Sequence, residues 1–121
     1  VIILEGDGNL LMNLGSLPMA GSLQPGNLLH IVLDNEVYAS TGNQPTISNA
    51  IELEKIAKSA RYAYVKKVTT NEDLKREVVY TLGNDGLSFL LVKIADQEEE
   101  REIGRVTHDP EQVKERFMSA M

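Results

Sequence analysis

Apolar residues fall along this chain in short blocks separated by glycine, proline and small polar residues, and the blocks follow two different periods. Val1-Ile2-Ile3-Leu4 and Leu28-Leu29-His30-Ile31-Val32-Leu33 are continuous runs, the pattern of central parallel strands buried on both faces. Leu87 to Ala95 is a further strand of that kind, and Tyr62 to Val68 alternates well enough to be another. Elsewhere the spacing is helical. Leu10, Leu11, Leu14, Leu17 and Met19 predict a helix that starts near Asn9 and is kinked or ended around Pro18. Ser48 or Asn49 can cap a helix running to about Ala60, with Ile51, Leu53, Ile56 and Ala57 as its buried stripe. Thr70 or Asn71 can cap the next, which has Glu72 and Asp73 in its first turn and Gly83 as its stop. His108-Asp109-Pro110 opens a last helix, Glu111 to Ala120, with Val113, Phe117 and Met118 on one side.

Gln24-Pro25-Gly26-Asn27 is turn chemistry, and Asn35 to Asn49 is the longest stretch without a period. Long ordered loops of this sort are often functional. The charged run from Asp96 to Glu102 reads as a solvated loop. The resulting order, β-α-β-loop-α-β-α-β-α, predicts an α/β fold: an open, mostly parallel sheet with helices on both faces. Ligands of such sheets bind at the carboxyl ends of the strands.

Composition narrows the partners. The 121 residues are 42% apolar and 25% charged, ordinary for one globular domain. No apolar run approaches the roughly 20 residues that span a bilayer, so no membrane is expected. A formal charge of −6 argues against nucleic acid, which is held by clustered Lys and Arg. The absence of cysteine removes disulfides, thiolate metal sites and thiol nucleophiles, and fits the reducing cytoplasm. Residue 1 is a valine already inside the first apolar run, with no initiator methionine or signal-peptide pattern. A single domain over residues 1–121, truncated upstream of Val1, is the expectation.

The candidate chemistry sits where two strands end. The first run is followed by Gly6-Asp7-Gly8-Asn9, and the second ends in Asp34-Asn35. Asp-Gly alone is a common turn, and Asp-Asn after a strand is equally ordinary. Their co-occurrence at the carboxyl edge, one helix apart, is what points to a site. Gly6 and Gly8 can take backbone angles closed to other residues and expose amides beside a bound group. The following helix turns its amino end to the same point, which favours an anion such as diphosphate. Asp7 and Asn35 are oxygen donors suited to Mg²⁺ or Ca²⁺, and an octahedral Mg²⁺ would need about four more oxygens from backbone, phosphate and water.

At that spacing, Gly6-Asp7-Gly8-Asn9 through Asn35 resembles the diphosphate-binding signature of thiamine diphosphate enzymes. Gly6 to Gly15 and Leu33-Asp34-Asn35-Glu36-Val37-Tyr38, together with Ser40 to Thr46, are similar to the 2-oxo-acid decarboxylases of that family, specifically phosphonopyruvate decarboxylases and the beta subunit of sulfopyruvate decarboxylases. The similarity runs over nearly the whole chain. It implies thiamine diphosphate and Mg²⁺ as cofactors, with Asp7 and Asn35 ligating the metal through side chains and Val37 through its carbonyl. It also implies that Gly6, Gly8 and Asn9 contact the diphosphate, although Asn9 stands where the family has a small Ser or Ala. Tyr38 and Ala39 would lie beside the cofactor, and Ser40 and Thr41 would face a small 2-oxo acid. The family divides its active site between two related domains. The activating glutamate would therefore come from a pyrimidine-binding domain or subunit, in an oligomer, and no residue here takes a catalytic role.

Other features read as structure. His30 lies in an apolar strand and is expected to be a hydrogen-bonded core or edge histidine, and His108 belongs to a turn or cap. Tyr62, Tyr64 and Tyr80 read as packing residues with hydroxyls near the surface. A reading from another class remains: a non-catalytic, doubly wound module that binds metal and phosphate, or signals through Asp7 as receiver-like domains do. It needs another acid near Asp7 and a lysine at a second strand's carboxyl end, for which Lys66, Lys67 and Lys93 are the candidates.

Overall fold

The computed structural model describes residues 1–95 and 106–121, so the charged run beginning at Asp96 lies outside the described residues. In chain order the elements are β1 (Ile2–Gly6), α1 (Asp7–Met12), α2 (Ser16–Leu23), β2 (Asn27–Asp34), β3 (Val37–Tyr38), β4 (Gln44–Pro45), α3 (Leu53–Ser59), β5 (Tyr64–Val68), α4 (Asn71–Leu82), β6 (Gly86–Lys93) and α5 (Pro110–Ser119). Four strands form one sheet in the order β1-β2-β6-β5, parallel at every pairing. The expected α/β class is therefore the observed one.

Strand alternation distributes the core. Val32, Leu87, Phe89 and Leu91 face one side of the sheet, where Leu10 and Leu17 of the first two helices and Leu53 and Ala57 of α3 close over them. Leu29, Leu90, Val92 and Val68 face the other side, packed by Leu74 and Val78 of α4. Successive side chains of β6 thus feed opposite layers, which is why its sequence is apolar without a break. Gly21 permits the closest helix contact: a Cβ there would lie 1.6 Å from the Ala60 carbonyl oxygen at the end of α3.

Several local expectations change. β1 is an edge strand rather than a central one, and Ile2 and Leu4 remain 54% and 64% exposed. The first helical stretch divides at residues 13–15, not at Pro18, because Pro18 falls in the first turn of α2, where its missing N–H leaves no bond unmade. The helix expected from Ser48 starts only at Leu53 without a side-chain cap, since the Ser48 hydroxyl is used elsewhere. The long loop folds back as a small antiparallel hairpin, β3 with β4. Thr70 caps α4 by accepting from the Asp73 N–H, and Gly83 ends it. Asp109 caps α5 in a reciprocal capping box with Gln112, while Val113, Phe117 and Met118 are all exposed.

Candidate functional site

Parallel pairing of Gly6 with Leu33 sets the ends of β1 and β2 side by side, so the residues that follow each strand emerge on the same rim. A cavity of about 360 Å³ opens there, lined by Gly6, Asp7, Gly8, Asn9, Asn35, Val37, Tyr38, Ala39 and Ser40, with Met12, Leu33 and Ile94 as its apolar wall. Every residue expected at the metal or cofactor thus borders one space. Of the two expected to face a substrate, Ser40 lines it and Thr41 does not. The Thr41 hydroxyl instead donates to Gln44 Oε1 at 2.9 Å.

Gly6 and Gly8 do not use the conformational freedom expected of them. Gly6 has extended angles, φ −91° and ψ 160°, and Gly8 lies within α1; among the described residues the glycines with positive φ are Gly42 and Gly86. Gly8 is required instead for close approach, because a Cβ there would lie 2.6 Å from the Tyr38 ring. α1 is only six residues long, so its dipole is small, and the amides of its first turn are the feature that matters for an anion.

Asp7 is 1% exposed. Its Oδ2 accepts the Thr46 hydroxyl at 2.6 Å. Its Oδ1 has no hydrogen-bond partner among the described residues, and Glu54 Oε2 is the only fully buried side-chain oxygen there left partnerless, so Asp7 Oδ1 reaches accessible space. No Lys, Arg or His lies within ion-pair distance of Asp7 among the described residues. Burial without a nearby cation disfavours a charged carboxylate, and a cation in the adjoining cavity would offset that. Asp34, one strand over and equally buried, has its cation: Lys93 Nζ at 2.9 Å, which also reaches Glu36. Burial alone would lower the Lys93 pKa, but the hydrogen bonds and charges of Glu36 and Asp34 hold it above its ordinary value.

The second donor, Asn35, sits in a tight turn. Its Oδ1 accepts the Val37 N–H at 3.2 Å, the Asp34 carboxylate accepts the Glu36 N–H at 3.1 Å, and Glu36 takes a left-handed φ of 65°. This fixes the Asn35 amide oxygen with one lone pair to spare. Among the described residues no three His, Cys, Asp or Glu side chains gather as metal ligands. Asp7 and Asn35 bring one carboxylate and one amide oxygen to the same cavity, a pair that fits a hard cation taking its remaining ligands from other oxygens, phosphate and water among them.

Sequence reasoning missed Thr46, Ser48 and the role of Lys93. Thr46 and Ser48 stand in a polar, aperiodic loop whose path is set by the β3–β4 hairpin, so nothing local marks them. A neighbouring cavity of about 420 Å³ shares Asn9 and Met12 and contains Glu5, His30 and Tyr62. Its polar groups satisfy one another: His30 Nε2 meets Glu5 Oε1 at 2.5 Å, His30 Nδ1 meets the Tyr62 hydroxyl at 3.2 Å, and the Asn9 amide donates to Glu5. His30 is the bonded core histidine expected. Tyr62 departs from expectation, since its hydroxyl is paired with His30 in the interior, while the half-buried Tyr64 donates its hydroxyl to Glu77. Both phenols are pushed up to about 12, first by burial and then by the charge of Glu5 at Tyr62 and by the hydrogen bond and charge of Glu77 at Tyr64.

Comparison with known proteins agrees with this geometry. The family described as thiamine pyrophosphate enzyme, C-terminal TPP binding domain, matches residues 1–92. A phosphonopyruvate decarboxylase of Streptomyces viridochromogenes is 38% identical over 97% of this chain, which covers 29% of that protein. Sulfopyruvate decarboxylase subunit beta of Methanothermobacter thermautotrophicus is 36% identical over 98% of the chain, covering 60% of the relative. The corresponding subunit of Methanococcus maripaludis is 33% identical over the whole chain, covering 64% of its length. The chain thus spans between 29% and 64% of the length of these three relatives. The residues matched by the family hold both strand ends and all of the cavity lining but Ile94, and the chain belongs to the thiamine pyrophosphate enzyme family, as its C-terminal TPP-binding domain.

Proposed function

We propose that this chain is the thiamine diphosphate- and Mg²⁺-binding component of a 2-oxo-acid decarboxylase acting on sulfopyruvate or phosphonopyruvate. The observation that carries the metal is the buried Asp7 carboxylate, without a cation among the described residues and sharing a cavity with Asn35. Asp7, Asn35 and the Val37 carbonyl hold Mg²⁺, and the amides of Gly8 and Asn9 meet the diphosphate. The Asn9 side chain is committed to Glu5, which leaves its backbone as the contact. Tyr38 and Ala39 flank the cofactor, and Ser40 faces the substrate. Once bound, the cofactor supplies the sink for the electron pair released as carbon dioxide departs from a 2-oxo acid.

The resemblance implies that the activating glutamate comes from a pyrimidine-binding domain or subunit in an oligomer; the nearby Glu5 and Glu36 are engaged here, with His30 and Lys93. Three of the matched relatives are named as beta subunits, which supports such a partner. Among the described residues no helix is long and apolar enough to cross a membrane, and a cysteine-free chain suits the cytoplasm. The receiver-like alternative loses its footing. Lys93 does end β6, but Asp34 and Glu36 occupy it.

Asp7→Ala in the full-length assembled protein tests the reading by calorimetry with thiamine diphosphate, with and without Mg²⁺. Even partners behind metal ligands typically change affinity about 10- to 100-fold; losing a ligand is expected to weaken Mg²⁺-dependent binding by at least about 100-fold. Unchanged binding overturns the assignment.

A further inference from the structure

We infer that Thr46 and Ser48 are positioning residues that set the Asp7 carboxylate and the Asn35 turn for Mg²⁺ in particular, an inference that rests on the proposed metal site. The two hydroxyls lie between two buried carboxylates. Thr46 Oγ donates to Asp7 Oδ2 at 2.6 Å, Ser48 Oγ donates to Asp34 Oδ1 at 2.8 Å, and the Ser48 N–H donates to Thr46 Oγ at 3.3 Å. All four residues are buried.

Proton counting fixes the direction of this chain. Each hydroxyl has one hydrogen, each ionised carboxylate can only accept, and two hydroxyls meet two carboxylates. The 3.0 Å contact between the hydroxyl oxygens therefore carries no proton of its own. Thr46 is left with one role toward Asp7, holding Oδ2 so that Oδ1 is the oxygen presented to the cavity. Ser48 performs the matching task on the neighbouring strand. It grips Asp34, whose carboxylate also takes the Glu36 N–H and whose cation, Lys93, reaches over to Glu36. Asn35 and Val37 flank Glu36 in that turn, so the geometry of both donors depends on it. The backbone closes the same frame, with the Thr46 N–H on the Glu36 carbonyl at 2.8 Å.

A frame this constrained suits a cation that is strict about geometry. Mg²⁺ demands near-octahedral ligands at about 2.0–2.1 Å, whereas Ca²⁺ accepts looser sets at about 2.3–2.6 Å. Removing the frame should penalise Mg²⁺ more than Ca²⁺, a difference that mere loss of stability does not produce.

The test titrates Mg²⁺ and Ca²⁺ into the full-length protein with saturating thiamine diphosphate, following binding by calorimetry, for Thr46→Val, Thr46→Ser, Ser48→Ala and Asp7→Ala. Thr46→Val keeps the shape and deletes the donor; Mg²⁺ affinity should fall about tenfold or more, with a smaller loss for Ca²⁺. Thr46→Ser restores the hydroxyl and should stay within about threefold of the parent. Ser48→Ala should move the Mg²⁺/Ca²⁺ ratio in the same direction and serves as the readout if Thr46→Val does not fold. If Asp7→Ala abolishes binding while Thr46→Val, or Ser48→Ala in its place, leaves the ratio unchanged, the positioning role is wrong and the site stands. If Asp7→Ala also leaves binding unchanged, the metal site and the role built on it both fall.

Discussion

A methyl group added at Gly8 would come within 2.6 Å of the Tyr38 ring, whereas one added at Gly6 would meet nothing closer than the Leu33 carbonyl oxygen at 3.8 Å. Two glycines of one motif are thus held by different constraints. Gly8→Ala should destabilise the fold by about 1–3 kcal/mol through overpacking. Gly6→Ala, at an ordinary extended conformation, should leave stability unchanged or raise it by up to about 1 kcal/mol by restricting the unfolded chain. Chemical denaturation of both variants measures the contrast; equal losses would contradict it. The residues of Gly6-Asp7-Gly8 and Asn35 were legible in the sequence because a strand end marks each. The reason for Gly8 was not, since it lies in an aromatic ring thirty positions away. Thr46 was hidden for the same cause: its partner Asp7 is 39 residues distant, and no periodicity encodes that contact.

At the scale of elements, the end of β6 is tied to the turn after β2 by Lys93, and the tie is sensitive to alkali. Its folded pKa lies above the ordinary 10.5, so its contribution is complete below about pH 10.5 and is lost as pH rises through the folded value. Two phenols act in the same sense. Tyr62 and Tyr64 titrate near 12 in the fold instead of 10.0, so the stability held by their neutral forms is present below pH 10 and disappears between about 10 and 12. The melting temperature should therefore decline from about pH 10 upward, and Tyr62→Phe should make that decline shallower. A flat profile to pH 12 would exclude this linkage. Element type was readable from periodicity almost throughout. Boundaries were not: Pro18 resembles a helix stop until it is seen in a first turn, and Ser48 resembles a helix cap until Asp34 is seen to claim its hydroxyl.

For the whole molecule, the parallel α/β class followed from the order of elements, but the placement of strands did not. A continuous apolar run predicts a strand with two covered faces, and β2 and β6 are such strands; β1 has the same composition and ends the sheet, because strand order is a long-range property. Among the described residues no strand pairs with its outer edge, beside exposed Ile2 and Leu4, which makes it a template for pairing. The 121-residue chain in isolation should therefore self-associate as concentration rises, and Leu4→Lys should suppress this in sedimentation. Monomeric behaviour of the unaltered chain at high concentration would speak against an adhesive edge.

The pairing of β2 with β6 ends at Asp34 opposite Lys93, residues separated by 59 positions. Joining them requires closure of the long intervening segment, a slow kind of event in folding. A polypeptide that has made β1, its following turn and β2 already carries the whole recognisable signature, yet the staple that shapes it has not arrived. An unfinished chain of this kind, identical in motif, should therefore gain no stabilisation from the coenzyme until β6 has docked.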